Sequence, residues 1–428
     1  MKRLSLLLIL ISFFSRILQC HAQSDTLFAR KTIRYPQYLE NVGKDNLLYA
    51  AQKFNVDIVF AGIEIAKIFP NPELYYGYIN MGQNRLKAGY GYSVNASTTL
   101  ELGGKRKARI DLANNSTELA KALLVDFFRN LRADATLAYL NALFQKNSLK
   151  VLSNSYISIN RLANSDSIRF KLGSIMEIDA KQSKLEARYL LNRVIQAESD
   201  WKVSLTYLNL LVGKKSADTL LYPIGDFSMF DRDFVYHDLV TTALSNRSDL
   251  LAALKNKNVA QSALRLTKAN RIIDLGIILG SNNTSVVTNF VEPTPSLTAI
   301  YGGISIPLKF SNNYKGDLKI AQYNIEQADL QYRHVELQVE TDVSQAYYTY
   351  MAERKQVQQF QSGLLSEAKR VLDGKVYAYQ RGKTSLLEVL NAQRTFNSIQ
   401  SDYFSTLYSY AAALVQLERA VGIWDINF

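Results

Sequence analysis

YAYQRGKTSLLEVLNAQRTFNSIQSDYFSTLYSYAAALVQLERAVG, residues Tyr377 to Gly422, is the stretch on which the fold turns. It opens with a turn around Gly382 and continues without a proline to its end. Leu407, Ala411, Leu414, Leu417 and Val421 recur at spacings of four and three, which predicts a helix with one apolar face. Gly422 is a helix-stop residue. A weaker copy lies 209 residues upstream, where Gly173 matches Gly382 and Gly213 matches Gly422. Phe170 then falls at Tyr379, Asp179 at Glu388, and Leu205, Leu208 and Val212 at Leu414, Leu417 and Val421.

The duplication reaches further back. At an offset of 208, Ser97, Leu100, Lys107, Ala113, Glu118, Ala120, Asp134, Ala138 and Tyr139 meet identical residues. One insertion or deletion between Tyr139 and Phe170 reconciles the two offsets. The chain therefore reads as two copies of strand, long helix, turn and helix, and an internal repeat outranks local assignments. The first copy spans residues 23–213, with its helical hairpin at 105–213. The second spans 246–428, with its hairpin at 314–422. Residues 214–245, with Pro223 and Gly225, form a connector.

Residues 1–22 read as an export signal: Lys2 and Arg3, then the apolar run Leu4 to Phe14, then Cys20-His21-Ala22 as a small-residue cleavage site. A competing reading makes Cys20 a lipid-attachment residue, although Gln19 suits that site poorly. Cys20 is the only cysteine, so cleavage after Ala22 leaves neither disulfides nor thiolate metal sites. The formal charge of +12 becomes +9 once Lys2, Arg3 and Arg16 are removed. The charges are spread along helices and follow an export signal, which argues against nucleic acid and for a basic surface. No later run of about 18 apolar residues exists to form a transmembrane helix.

Tyr38 to Gln52 and Val56 to Ile68 are amphipathic and predict two helices, stopped by Pro70-Asn71-Pro72. The period then changes to two. From Tyr90 to Leu102 the even positions are mostly apolar and the odd ones mostly polar, which predicts a strand with one apolar face, and 74–81 is its partner. The second copy supplies strands at 275–287 and 297–308. Such lengths suit a membrane barrel, at about 9–11 residues per tilted crossing. Four strands cannot close a barrel, and an open edge is not tolerated in lipid. If these strands enter a membrane, several chains share one barrel, and three would give twelve strands. Gly316 to Val376 reads as nearly continuous helix, roughly 90 Å at about 1.5 Å per residue, and Lys105 to Asn164 is similar. Residues 40–68 and 247–271 are placed to stack on the ends of the shorter returning helices.

YAYQRGKTSLLEVLNAQ, RFKLGSIMEIDAKQSKLEA and SIPLKFSNNYKGDLKIAQ resemble the second tip turn, the first tip turn and the strand-to-helix join of the TolC family of outer-membrane efflux proteins. The likeness extends over nearly the whole mature length. FPNPEL (Phe69 to Leu74), LELGGKRKARI (Leu100 to Ile110) and ALSNRSDLLAA (Ala243 to Ala253) resemble the cobalt–zinc–cadmium heavy-metal branch. The resemblance implies a mainly α fold with a small β part: a homotrimer whose twelve-stranded β-barrel is continuous with a twelve-helix α-barrel. It implies an outer membrane location, with the tunnel in the periplasm. It implies docking onto a periplasmic adaptor and an inner-membrane pump of the RND type, as a passive duct for heavy-metal cations. It also implies that the hairpin tips meet the adaptor, through Gly173, Ser174 and Ile175 and through Gly382, Lys383 and Ser385. Six residues past each glycine, Asp179 and Glu388 stand where the family places acids in a closing aperture. Tyr379 matches the family's tyrosine. Asn391 and Thr384 replace a second acid and a basic residue, so a salt-bridge latch at those positions is in doubt.

Gly103-Gly104-Lys105-Arg106-Lys107 lacks the P-loop pattern and reads as the bend where strand becomes helix, with its cations near lipid headgroups or the trimer wall. The chain has three histidines (His21, His237 and His334) and no G-x-S-x-G, H-E-x-x-H or C-x-x-C motif, so no catalytic, cofactor or metal residue is assigned. Two alternatives stand beside the heavy-metal duct. One is a drug or protein export channel of the same fold. The other is a periplasmic coiled-coil adaptor. An adaptor should carry a lipoyl-like β-domain flanking a single hairpin, whereas here each of two hairpins follows alternating strands.

Overall fold

The computed structural model describes residues 29–80, 89–215, 219–227, 232–288, 290–291, 293–309 and 314–426. The export signal and Cys20 lie outside them. In chain order the elements are β1 (Ala29–Arg34), α1 (Tyr35–Asp45), α2 (Leu47–Lys67), β2 (Glu73–Asn80), β3 (Tyr90–Leu100), α3 (Lys105–Lys171), α4 (Glu177–Leu211) and β4 (Thr219–Ile224). The second half follows with α5 (Tyr236–Asn246), α6 (Ser248–Asn270), β5 (Leu275–Thr284), β6 (Leu297–Ser305), α7 (Lys315–Gln359), α8 (Leu365–Gln380) and α9 (Leu386–Val421).

Long helices form where glycine and proline are absent. Residues 105–171 contain neither, and α3 runs unbroken for 67 residues, about 100 Å. The second long helix, expected to be nearly continuous, is interrupted once. A π-helical turn at Phe360–Leu364 separates α7 from α8, with Gly363 at φ 108, outside the helical region. The first two helices were expected to part near residues 53–55. They part at Asn46, whose side chain accepts from the Tyr49 amide and donates to the Leu211 carbonyl at 2.8 Å. That second bond ties the start of α2 to the end of α4. Likewise Arg247 donates to the Ala420 carbonyl and ties the start of α6 to the end of α9. Two stacked pairs result, α2 on α4 and α6 on α9.

The helices form one layer. α3 packs on α2 and α4 on one side and on α6 and α9 on the other, and α6 and α9 pack on α7. The order is therefore α2/α4, α3, α6/α9, α7. Small residues let the helices approach: Ala133, Ala135, Ala138 and Ala142 of α3 are all buried.

The strands form a fully antiparallel sheet in the order β2-β3-β5-β6. The pairs Leu74–Ala96, Tyr76–Val94, Tyr78–Tyr92, Leu100–Leu275 and Ile277–Ile304 put most of the apolar positions of the four strands on one face. Ser93, Asn95, Asn282 and Thr284 lie on the other, where the Tyr301 hydroxyl donates to Asn95. The strands stop a few residues short of their expected ends, with Val287 bridging singly to Thr294.

A second sheet was not expected. β1 and β4 pair in parallel, joining the start of the chain to the connector. Tyr139 holds them, its hydroxyl reaching the carbonyls of Ile33 at 3.0 Å and Ile224 at 2.8 Å. Tyr35, Tyr38 and Tyr139 cluster there, buried against Leu205, Leu208 and Leu221. The connector also holds α5, which packs on α7 and α9 through Leu239 and Ala243. The two largest apolar cores thus gird the helices at mid-height.

Candidate functional site: the paired helical tips

Each hairpin reverses through a glycine. Gly173 and Gly382 both have φ +71, a left-handed conformation that other L-residues adopt only with strain. The bonds around them match. Ser174 N donates to Arg169 O at 2.8 Å and Lys383 N to Ala378 O at 2.9 Å, while each glycine amide closes the shorter inner turn. A side chain at either glycine would meet nothing within 4 Å, so turn geometry, not close helix approach, requires glycine here. In the second tip the Ser385 hydroxyl accepts from the Glu388 amide and caps α9, the serine-to-glutamate spacing of a capping box. Ser174, Lys383 and Ser385 are exposed, Ile175 and Thr384 are half-buried, and Leu172, Met176, Ile178 and Leu387 add exposed apolar surface.

Tyr379 does not face solvent. It is buried, and its hydroxyl donates to Asp166 Oδ1 of the other hairpin at 3.0 Å. The Arg169 guanidinium lies over its ring at 4.9 Å. Burial raises the Asp166 carboxyl above the usual aspartate range. Burial, with the neighbouring Asp166, pushes the Tyr379 phenol up to about 12. Asp166 and Arg169 were not singled out from the sequence. Their spacing of three on a helix is a signal, but too common a one to choose them.

Asp179 and Glu388 occupy the same place on α4 and α9 but have different surroundings. Asp179 is half-buried, and its charge adds to the upward push on both Asp166 and Tyr379. Glu388 is exposed and receives Lys375 Nζ of α8 at 2.7 Å, so a lysine on the same hairpin pairs with the acid of the second tip. Asn391 is exposed beside it on α9.

Higher up, Arg394 of α9 forks onto Glu186 of α4 at 2.7 and 3.3 Å, and Ser155 of α3 meets Asn397 at 2.6 Å. The Glu186 carboxylate is 10% exposed, so Arg394 is a partner it can lose only at a cost. Leu386, Val389 and Leu390 pack with Ile159, Ala163, Ala187 and Leu190. The two hairpins are thus held together by the Tyr379–Asp166 and Ser155–Asn397 hydrogen bonds, one forked ion pair and a small apolar core. Among the described residues no group of three His, Cys, Asp or Glu could hold a metal ion.

Paired hairpins below a sheet with one apolar face are the parts of a membrane-anchored conduit, and the comparisons place them in a family. Residues 239–423, the second repeat, match the family model "Outer membrane efflux protein". The cobalt-zinc-cadmium resistance protein CzcC of Cupriavidus metallidurans is 23% identical over 377 residues, 88% of this chain and 86% of that one. The outer membrane protein TolC of Escherichia coli is 20% identical over 67% of this chain and 60% of its own. Among solved structures, CusC superposes with a TM-score of 0.74 at 15% identity, over 91% of this chain and 92% of the other. The Campylobacter jejuni outer membrane channel CmeC superposes with a TM-score of 0.76 at 15% identity, over 90% and 85%. Residues 239–423 thus carry the outer membrane efflux protein family's pattern, and the chain as a whole shares the fold of the solved outer membrane channels. That family is one of outer membrane transport proteins.

Proposed function

We propose that three copies of this chain close one twelve-stranded barrel and one tunnel of twelve helical columns, forming the outer-membrane duct of a tripartite efflux system. The observation that carries this reading is a coincidence of edges. The sheet ends at β2 on one side and β6 on the other, and the helix layer ends at α2/α4 and α7. β2 follows α2 and β6 precedes α7, so both layers are open along the same two sides. Both helical edges carry exposed apolar residues: Leu47, Phe54, Ile58 and Ile65 on α2, and Ile320, Tyr323, Leu330 and Leu337 on α7. Joining the α7/β6 side of one copy to the α2/β2 side of the next covers all of them and leaves no strand edge in lipid.

The tips then form the mouth that meets a periplasmic adaptor, with Gly173 to Ile175 and Gly382 to Ser385 as the contact points. An inner-membrane pump supplies the energy. Heavy-metal cations are the cargo best supported, because the likeness to the cobalt-zinc-cadmium resistance protein spans most of both chains. A duct passing such ions should bind them weakly. The Asp166–Tyr379 and Glu186–Arg394 contacts hold the mouth shut, and opening moves α8 and α9 away from α3 and α4. Asp179 and Glu388 give the aperture an acidic lining that favours cations.

Single-channel recording in a planar bilayer tests this reading. Wild type should give small, cation-preferring currents, and Asp179→Ala with Glu388→Ala should weaken the preference. Unchanged selectivity removes the acids from the mechanism. For the cargo, a deletion strain should become sensitive to cobalt, zinc or cadmium, and sensitivity to antibiotics alone would favour the drug-export reading.

A further inference from the structure

The basic excess of this chain is concentrated in one place. The four segments that join strands to helices, residues 64–73, 100–109, 268–275 and 305–319, hold ten Lys and Arg against five Asp and Glu. These 43 residues carry +5 of the +9 that follows the export signal. All four segments lie at the same end of the sheet, because Leu100 pairs with Leu275, Gly276 with Ser305, and β2 begins beside Ser97. The segments that join β2 to β3 and β5 to β6 in sequence, residues 81–89 and 285–296, hold two bases and one acid.

Folding accounts for only part of this collar. Lys105 pairs with Asp274 at 2.6 Å, Lys67 with Glu64 at 3.0 Å, and Arg109 with Glu101. Of the other cations, Arg106 and Lys309 donate to the Lys67 and Asn270 carbonyls, and the only other acids of these segments are Glu73 and Asp317. Lys107, Lys268, Arg271 and Lys319 are exposed. Lys105, Arg106 and Lys107 occupy the first turn of α3, which holds no acid and where the helix dipole disfavours positive charge. The collar directly adjoins the last row of the apolar face, formed by Leu74, Leu100, Leu275 and Ile304. At that boundary the Arg106 guanidinium lies 4.4 Å over the ring of Phe69, which is 66% exposed. An aromatic ring capped by a cation suits the level where hydrocarbon gives way to headgroups.

We propose that this collar binds the phosphates of anionic phospholipids in the leaflet facing the helices. The proposal rests on the outer-membrane duct reading and adds to it a lipid-selective contact. Each cation near an anionic surface favours it by roughly fivefold, and the effect fades beyond a Debye length of about 10 Å at 0.1 M salt. Anionic lipid would therefore gather at the foot of the barrel and fix its depth.

The test uses the mature protein in nanodiscs of phosphatidylcholine containing about one fifth phosphatidylglycerol, with retained lipid read by native mass spectrometry. Wild type should retain phosphatidylglycerol several-fold above its share, and high salt should reduce the excess. Arg106→Gln, Lys107→Gln, Arg271→Gln and Lys319→Gln together should bring retention to the bulk ratio. Lys107→Gln alone, at an exposed position, should give a partial loss without risk to folding. Bulk-ratio retention by wild type, or undiminished excess in the fourfold variant, overturns the proposal. If the variant instead changes ion selectivity while lipid retention stays the same, the cations face the lumen and the proposal is wrong. A protein that fails to insert at all sinks the duct reading, a failure distinguishable from insertion without lipid preference.

Discussion

The Tyr379–Asp166 bond joins the two hairpins at their tips, and the charge of Asp179 adds to the upward push on both partners. Asp166 lies 213 positions from Tyr379, and only the packing of the two hairpins makes it a partner. Lys375 carries no mark of its pairing in the sequence, since it lies seven residues, about two helical turns, before Gly382 and not after it. Tyr379→Phe removes the donor and leaves a buried carboxylate short of a bond, which costs about 1–3 kcal/mol. If that contact holds the mouth shut, the open-to-closed ratio in single-channel records should rise, by roughly tenfold for each ~1.4 kcal/mol. An unchanged ratio would assign Tyr379 to packing alone. A second residue, Glu418 on α9, gives a pH dependence. It is fully buried, near Arg232 at 3.3 Å and bonded by the Asp425 amide. Burial first, then Asp425, pushes its carboxyl from 4.5 up to about 8. Below about pH 4.5 it holds its proton folded or unfolded, and stability is unaffected. Between about 4.5 and 8 the unfolded chain releases that proton while the folded chain keeps it, so stability falls as pH rises and levels off above about 8. Denaturant midpoints across this window should show Glu418→Gln losing less stability than wild type. Parallel slopes would mean that Glu418 is ionised in the fold.

Among the elements, the glycines that revealed the repeat proved to share one conformation. Gly173, Gly213, Gly382 and Gly422 all have φ between 69° and 78°. They differ in what surrounds them, and this separates their mutants. Gly382→Ala should cost about 1–2 kcal/mol for the left-handed backbone alone. Gly213→Ala should cost more, because its new methyl group would also strike the Asp45 carbonyl oxygen where α2 stacks on α4. Thermal dissociation in detergent should rank wild type above Gly382→Ala and that above Gly213→Ala; the reverse order would place the stacking contact elsewhere. The barrel strands were legible because a period of two survives over ten residues. The β1–β4 pair was not, since ARKTIR and TLLYPI are short, do not alternate, and find each other across 190 residues. The break at Asn46 was hidden for a different reason. There the Asn46 side chain caps α2 through the Tyr49 amide and bonds the Leu211 carbonyl, 165 residues away, a partner the local sequence does not show.

At the scale of the whole molecule, one protomer is an incomplete object. Its sheet and its helix layer share two open sides, and about a dozen large apolar side chains along them have no cover within the chain. Strand count and an open edge were enough to say that, if these strands enter a membrane, several chains share a barrel. Which helix faces which needed the packing order α2/α4, α3, α6/α9, α7. The same order explains why the repeat is imperfect, since one long helix is enclosed within the protomer and the other lies at its edge. Native mass spectrometry of the mature protein, released from detergent micelles, tests the central claim most directly. The account predicts a species of three protomers, stable after the lipid is stripped away. A monomer would contradict it, because a single four-stranded sheet with both edges open cannot be a finished membrane channel.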